Sequence, residues 1–428
     1  MNPSPRTILR ARTILPLAQP PIDNGAVAIE GNRITHVGPF CEMPASPRSV
    51  ITDLGEAVLL PGLINAHCHL DYTGMAGQIP FAKNFSDWIK AIIALKAAWG
   101  YADFAQSWLK GAAMLLRNGT TTVADIEAVP EMLPEVWSAS PLRIISLIEL
   151  ISVKNRFAAG QIVEAAVHKM TDLERCHANV GSLEGPSRTL GLSPHATYST
   201  TAELLQKAAQ AAREHHWLLA THVAESEAEF DMFMHQRGPL FEWLHGQRGA
   251  PDCPRVSPVE YLERCGYLSE NLLAVHGNYL GKDDAALLAR RKVSVVHCAR
   301  SHAYFGHRPF AYGELVGAGV NVCLGTDSLA SAPDTPRQPP ELNLFAEMRA
   351  LARDHPELSA GSILRMATIN GAAALGRRGE LGQLSPGALA DLLVLPFAGI
   401  INEVEEAVLA HQGPVRASMI NGRWAYKT

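Results

Sequence analysis

The sequence has 428 residues, of which 47% are hydrophobic and 18% are charged. This length leaves room for one barrel-sized domain and a smaller one, and the composition excludes a disordered or fibrous chain. With a formal net charge of -5 and no run of basic residues, the sequence offers no footprint for nucleic acid or for an anionic membrane surface. We therefore predict a small-molecule partner.

The cysteines and the apolar segments predict the compartment. Seven cysteines are dispersed along the chain without a CxxC pair, which indicates reduced thiols rather than a disulfide framework or a cysteine zinc site. The N-terminal segment lacks the apolar core of a signal peptide, and no apolar stretch approaches the roughly 20 residues of a membrane span. These features predict a cytoplasmic protein.

The predicted elements fall into two textures. Residues 7–53 hold short β-rich runs separated by Gly, Asn and Pro turns, and the C-terminal segment resumes that pattern. From about 56 to 384, eight apolar strands alternate with helical stretches, which is typical of βα units and a (β/α)8 barrel. The strands are AVLLPGLI (57–64), TTTVADI (120–126), RIISLIEL (143–150), LGLSP (190–194), WLLATHV (217–223), NLLAVHG (271–277), VSVVHC (293–298) and VNVCLGT (320–326).

These textures predict the domains. Segments 1–55 and 385–428 would form one composite β-rich domain, and 56–384 would form the α/β barrel. A long insertion at about 226–268, between the fifth and sixth strands, is a candidate lid over the barrel mouth.

Ionisable side chains stand where the predicted strands end, and these ends converge on one rim of a barrel. His67 and His69 are two residues apart, so both imidazoles can reach one metal ion from an extended segment. His222 and Asp327 would add a nitrogen and an oxygen ligand. Such a mixed set favours Zn²⁺, with Fe²⁺ or Mn²⁺ as alternatives. The competing interpretation is a group of buried polar residues with local hydrogen bonds.

Three further residues at this rim are candidates for catalysis or binding. Glu225 could take a proton from the attacking water and pass it to a leaving group, or it could serve as a helix-start charge. His276 could polarise the water or stabilise an oxyanion, or it could be a packed core histidine. His195 could bind substrate or fix its loop.

An ordered set of motifs extends over most of the chain. It resembles the amidohydrolase superfamily, and within it the cytosine-deaminase and chlorohydrolase branch. The motifs are LLPGLINAHCHL (59–70), NGTTTVADI (118–126), SPHATYST (193–200), THVAES (221–226), AVHG (274–277), HCARSH (297–302), LGTDS (324–328) and GELGQLSPGALADLLVL (379–395).

The resemblance implies a distorted TIM barrel with a β-sandwich built from both chain ends. It implies that four residues hold the metal ion, with Asp327 also catalytic, that Glu225 shuttles protons and that His276 assists the attacking water. His195 matches a position that contacts the substrate ring in related deaminases. One metal ion is expected, because no lysine occupies the strand-four end where binuclear members carry a bridging group. The ligands are His67, His69, His222 and Asp327.

Within the branch, the segments HLDYT (69–73) and NFSDWIKAIIALK (84–96) look most similar to aminofutalosine deaminases. The motif HCARSH departs from the usual pattern, with His302 where asparagine is common, and we predict a substrate contact there or simple loop packing. Trp88 and Phe81 could stack on an aromatic substrate, although core packing is the competing interpretation.

The leading hypothesis is hydrolytic deamination of an aminated purine-like or related heterocycle, with metal-activated water as the nucleophile and ammonia as a product. The alternatives are amide or halide hydrolysis on a heteroaromatic substrate, and a non-catalytic homologue that serves in binding or assembly. A homodimer is expected by family resemblance alone.

Overall fold

The computed structural model describes residues 6–44, 49–79, 82, 84–154, 156–179, 188–248, 253–332 and 339–428. Within them the two textures form two eight-stranded sheets. The terminal sheet begins with β1 (Thr7–Ile14), β2 (Ile22–Glu30), β3 (Arg33–Pro39), β4 (Val50–Asp53) and β5 (Ala57–Pro61). The barrel sheet holds β6 (Leu63–Cys68), β7 (Thr120–Glu127), β8 (Arg143–Leu150), β9 (Arg188–Pro194), β10 (Leu218–Val223), β11 (Leu272–His276), β12 (Ser294–His297) and β13 (Asn321–Leu324). The terminal sheet resumes with β14 (Leu392–Pro396), β15 (Ala417–Ile420) and β16 (Arg423–Lys427).

The terminal sheet joins the two ends of the chain. Strand β5 pairs with β1 on one side and with β14 on the other, so residues from both termini share one hydrogen-bonded path. The N-terminal and C-terminal parts of the sheet also contact each other away from this path. Ile34 N, on β3, donates to Ala388 O, which precedes β14, at 2.9 Å, and apolar side chains from both parts pack in one core. The predicted combination of a barrel with a sandwich built from both termini is confirmed.

The first predicted strand, 57–64, is divided in the structure. Residues Ala57–Pro61 belong to the terminal sheet, whereas Leu63–Cys68 form the first barrel strand, so the change of sheet falls at Gly62 rather than between residues 55 and 56. A Cβ at Gly62 would overlap the side chain of Thr121. The chain can therefore turn from one sheet into the other only where a residue lacks a side chain.

The barrel strands run in chain order, and each pairs in parallel with its neighbours. The barrel closes between β13 and β6 through a short hydrogen-bonded segment, in which Thr326 N and Asp327 N donate to His67 O at 3.0 and 3.2 Å. Buried Asn65 also donates to Oγ1 of Thr326 at 2.7 Å. A Cβ at Gly325 would lie 2.8 Å from His67 O, so the close approach at this seam depends on glycine.

Fifteen α-helices lie within the described ranges. They are α1 (Phe85–Ala98), α2 (Tyr101–Arg117), α3 (Leu133–Ala139), α4 (Ala159–Asn179), α5 (Ala202–His215), α6 (Glu227–His235), α7 (Pro239–Arg248), α8 (Pro258–Arg264), α9 (Asp284–Arg290), α10 (Ala299–Phe305), α11 (Tyr312–Gly317), α12 (Leu344–Asp354), α13 (Ala360–Met366), α14 (Ile369–Ala374) and α15 (Val404–Leu409). Helix α5 begins after Thr201, whose side chain accepts a hydrogen bond from Leu204 N.

The predicted insertion at 226–268 contains α6, α7 and α8. Helix α7 brings Trp243 and Gln247 to the lining of the main cavity, which places part of this insertion over the barrel mouth. Its movement as a lid stays a prediction.

A buried ion pair connects the barrel to the terminal sheet. Arg143, at the start of β8, donates from Nε and Nη2 to both carboxylate oxygens of Asp391 at 3.0 and 3.1 Å. Both side chains are buried, and Arg143 also donates to Asn421 Oδ1 at 2.9 Å. Paired and hydrogen-bonded in this way, the two charges fix the orientation of the barrel relative to the sheet.

No helix in the described ranges combines the length and apolar character that crossing a bilayer requires. The cytoplasmic location and the homodimer stay predictions.

Candidate metal and active site

Four side chains form a buried cluster where strands end at one rim of the barrel. His67 lies in β6, His69 follows that strand, His222 lies in β10 and Asp327 follows β13. Their ligand atoms all lie within 4.8 Å of one another, the one such cluster found in the described part of the chain. Nε2 of His222 is 3.3 Å from Nε2 of both His67 and His69. The structure thus assembles all four predicted ligands.

Neighbouring groups orient two of these ligands. His222 Nδ1 lies 2.6 Å from His195 O, and since a carbonyl oxygen only accepts, Nδ1 carries the proton and Nε2 is left with a free lone pair. Asp327 Oδ2 accepts from the hydroxyls of Ser301 at 2.7 Å and Ser331 at 3.2 Å. Its Oδ1 is left facing His67 and His69, at 3.6 and 3.8 Å from their Nε2 atoms.

The electrostatics of the cluster suit a cation. Burial holds the pKa of His69 and His222 well below the usual histidine value, which favours the neutral, metal-ligating form. Burial alone would raise the pKa of Asp327, but a hydrogen bond with His67 and the adjacent histidines hold it well below its usual range. Three imidazole nitrogens and one carboxylate oxygen fit one divalent metal ion.

Glu225 and His276 lie beside this cluster and face each other. Nε2 of His276 is 3.6 Å from Oε1 of Glu225, and it is buried without a hydrogen-bond partner among the described residues. Burial, with the charges of Asp327 and Glu229, raises the pKa of Glu225 well above its usual value. Burial lowers the pKa of His276 to about 3, so the imidazole is neutral near neutral pH. This pair can hold and transfer protons next to a bound cation.

The backbone is strained at three positions of the site. Ala224, His276 and Asp327 have φ values of 52°, 78° and 54°, in the left-handed region that residues with a Cβ rarely adopt. Such conformations persist only where surrounding contacts enforce them, and they cluster at functional sites. The strain is therefore consistent with a rim built for chemistry.

A cavity of about 650 Å³ extends from the cluster to the surface. This volume lies within the range typical of small-molecule sites. Its inner end is lined by His195, whose Nδ1 lies 2.7 Å from Ser199 Oγ, and by Glu225 and His276. Trp88 lines the wall and is otherwise buried, so it combines core packing with a cavity face.

Of two further predicted substrate contacts, one lies outside the described residues and the other does not line this cavity. Phe81 lies outside the described residues. His302 is not among the described residues that line the cavity; it is buried behind the rim, where Nδ1 lies 3.0 Å from Asn278 Oδ1. His302 lies on α10, which contacts α12, and its ring contacts His297, His307 and Phe310.

Other site residues were not identified from the sequence. The ring of Tyr72 stacks on His69 at a centroid distance of 5.0 Å and an interplanar angle of 8°. Lys96, on α1, donates to the Tyr72 hydroxyl and lies 3.4 Å from Glu149. Tyr72 and Lys96 both lie in segments that carried the resemblance, HLDYT and the α1 segment, but neither has a spacing that predicts its partner.

The sequence matches the Amidohydrolase family over residues 58–425. The chain belongs to this family. A 5-methylthioadenosine/S-adenosylhomocysteine deaminase of Syntrophobacter fumaroxidans is 32% identical over 423 residues, covering 94% of this chain and 88% of that protein.

Two solved structures show the same fold. The aminofutalosine deaminase of Helicobacter pylori, in complex with methylthio-coformycin, has a TM-score of 0.81 at 19% identity and covers 98% of this chain and 100% of that chain. The atrazine chlorohydrolase of Arthrobacter aurescens, complexed with zinc, has a TM-score of 0.78 at 20% identity and covers 98% and 95%. The predicted superfamily and branch are confirmed.

Proposed function

We propose that the protein is a zinc-dependent deaminase of adenosine-like nucleosides that carry a substituent at the 5′ position. The observation that carries this proposal is the buried Glu225, paired with His276 beside the three-histidine, one-aspartate cluster at the inner end of the cavity. The relative that is 32% identical over most of the chain is a deaminase of 5-methylthioadenosine and S-adenosylhomocysteine, which supports the same substrate class here.

The residues divide the reaction between them. His67, His69, His222 and Asp327 would hold a divalent ion, which when bound would supply an activated water for attack on the ring carbon that bears the amino group. As a carboxylate, Glu225 would take a proton from that water. Its raised pKa favours the protonated form, which then gives a proton to the departing nitrogen, and this nitrogen leaves as ammonia. His276, neutral near neutral pH, orients the water. The adenine-type ring gains the oxygen and becomes a hypoxanthine-type ring.

The cavity orients the rest of the substrate. His195 lies beside His222 at the inner end, where it can hydrogen-bond a ring nitrogen. The outer wall carries the apolar side chains of Ile93, Ile151 and Phe157 beside exposed Lys154 and Arg156, so an apolar 5′ substituent would point to the mouth. This orientation puts the polar ring edge against polar groups and the substituent against apolar ones.

The test is ammonia release by zinc-loaded protein from adenosine, 5′-methylthioadenosine, S-adenosylhomocysteine and aminofutalosine, with guanine and cytosine as outgroups. Glu225→Gln should retain zinc and the melting temperature but lose turnover by about 10²- to 10⁴-fold, the usual contribution of general acid–base catalysis. Glu227→Gln is the matched control, because this exposed neighbour lies on α6.

Other outcomes would redirect the proposal. Ammonia release that persists in Glu225→Gln would contradict the assigned proton transfer. Chloride release from halogenated triazines without ammonia release from any nucleoside would favour the chlorohydrolase alternative. Fully zinc-loaded protein that turns over none of the substrates would favour a binding homologue. Loading with Fe²⁺ or Mn²⁺ in parallel would identify the metal that supports the highest rate.

A further inference from the structure

Glu225 lies in a turn whose backbone conformation is unfavourable without contacts from other segments. The preceding residue, Ala224, has a φ of 52°, a conformation that costs free energy for any residue with a Cβ. This turn follows β10 and aims the Glu225 side chain at His276. Contacts from outside the turn must therefore keep it in place, and they come from two sides.

Buried Glu229 fixes the turn from its own helix, α6. Oε2 of Glu229 accepts from Glu225 N at 2.7 Å, and Oε1 accepts from Ala224 N at 3.1 Å and from the hydroxyl of Thr197. Both backbone N–H groups of the strained turn are thus satisfied by one carboxylate.

The segment after β11 fixes the carbonyl side of the turn. Gly277 N donates to Val223 O at 3.0 Å, and Tyr279 N donates to Ala224 O at 2.9 Å. Between them, the side chain of Asn278 donates from Nδ2 to Glu225 O at 2.9 Å. Asn278 is buried, so this amide is the side-chain donor on which the position of the Glu225 carbonyl depends.

The hydrogen bond with His302 orients the side-chain amide of Asn278. Its Nδ1 lies 3.0 Å from Asn278 Oδ1, and because an amide oxygen only accepts, Nδ1 must donate. With its oxygen bound to His302, the amide presents its nitrogen to Glu225 O. If the amide were reversed, two oxygens would face each other in a buried site.

We propose that His302 is a positioning residue, which acts through Asn278 to hold the Ala224–Glu225 turn so that Glu225 faces the metal ligands. The role of Glu225 in proton transfer rests on the proposed function; the hydrogen-bond chain does not. In this assignment His302 does not contact the substrate; it acts on Glu225 through Asn278. It also accounts for the departure in HCARSH, because Nδ1 of histidine and Nδ2 of asparagine are both donors the same number of bonds from Cα.

The experiment compares His302→Asn with His302→Leu. Both substituents have a similar size, but only asparagine can donate to Asn278 Oδ1. We expect His302→Leu to lower kcat by about 10- to 100-fold with little change in KM or zinc content, as misplacement of a reacting group does. We expect His302→Asn to remain within about twofold of the wild type. Equal kcat values for the two variants would overturn the proposal.

A second variant keeps the result decisive if His302→Leu is unstable. Asn278→Asp keeps the shape but replaces the donor to Glu225 O with an oxygen, and should lower kcat in the same way. If His302→Leu is stable, adding it to Asn278→Asp should cost little more, because the effects of residues in one chain of contacts are not additive. Independent losses that multiply in the double variant would contradict a shared chain.

A crystal structure of each variant separates this proposal from the proposed function. In His302→Asn the 3.6 Å separation between His276 Nε2 and Glu225 Oε1 should be retained, and in Asn278→Asp the Glu225 turn should shift. An unmoved Glu225 in Asn278→Asp would overturn the positioning role even if the wild type deaminates nucleosides. A shifted turn in a protein that deaminates nothing would support the positioning role and reject the activity.

Discussion

The inner and outer ends of the cavity are built in different ways. At the inner end, Asp327 and Glu225 are buried, and each is fixed by a hydrogen bond from a residue remote in sequence. At the mouth, Ile93, Ile151 and Phe157 are 47%, 43% and 65% exposed, although all three are large and apolar. The inner end therefore has one geometry determined by the barrel, whereas the mouth offers an apolar surface that a ligand can cover.

Negative charge follows the same division. Among the described residues that line the cavity, the carboxylates are Glu225 and Asp327, both at the inner end. Basic side chains lie at both ends: Lys96 donates to the Tyr72 hydroxyl beside His69, whereas Lys90, Lys154 and Arg156 are exposed. Rigid strand ends thus determine the chemistry of the site, and the loops after β8 and β10 determine what else it can bind.

After the loss of turnover expected for Glu225→Gln, the largest expected effect concerns the orientation of a ligand at the inner end. Ser301→Ala removes the 2.7 Å hydrogen bond to Asp327 Oδ2 and should weaken zinc binding by about 10- to 100-fold, as the loss of an outer partner of a metal ligand does. The measurement is competition with a chelator of known affinity. Lys154→Ala, at the mouth, is the control, and equal zinc affinity in the two variants would contradict the comparison.

A smaller effect concerns Glu127, a carboxylate that is buried at the C-terminal end of β7. Burial raises the pKa of Glu127 to about 8, against a value of 4.5 for an ordinary glutamate. A raised pKa in the folded state means that folding takes up a proton, so the stabilisation is complete below pH 4.5 and is lost as pH rises towards 8. Between pH 5.5 and pH 8, the free energy of unfolding should therefore fall less in Glu127→Gln than in the wild type. The difference should exceed about 1 kcal/mol, since one pKa unit corresponds to about 1.4 kcal/mol.

Urea denaturation of the zinc-loaded protein at pH 5.5 and pH 8 measures this difference in the free energy of unfolding. Glu164→Gln, at an exposed position of α4, is the matched control and should behave as the wild type. A free energy of unfolding that changes equally with pH in the wild type and in Glu127→Gln would show that Glu127 is not protonated in the folded protein.

The smallest effect is expected at the mouth. Phe157→Ser should raise KM for nucleosides with an apolar 5′ substituent by about fivefold. This factor is equivalent to about 1 kcal/mol, the contribution of an exposed aromatic side chain that the bound substituent partly covers. The value of kcat should not change, because the residue is remote from the reacting atoms. Adenosine itself should be little affected, and Val316→Ser, another exposed apolar position, serves as the control. A fall in kcat would mean that the mouth is not separate from the chemistry.

The sequence predicted the inner end better than the mouth for a physical reason. Strand ends of a (β/α)8 barrel converge whatever the loops do, so His67, His222 and Asp327 could be assigned to one site from the positions of apolar strands. His302 stands in a motif of the same kind, but it follows β12 on a helix, and it is not among the described residues that line the cavity. A strand end predicts the rim, not the direction of a helical side chain.

The amino-acid sequence by itself predicted eight barrel strands, the joining of both termini and four candidate metal ligands at one rim, because apolar runs and polar strand ends are local features. Only the tertiary structure decided the contacts between distant segments. Gly62 divides one predicted strand between two sheets, and Asn278 connects His302 to Glu225. Such partners come from segments that approach each other only after folding, so neither periodicity nor spacing along the chain can predict them.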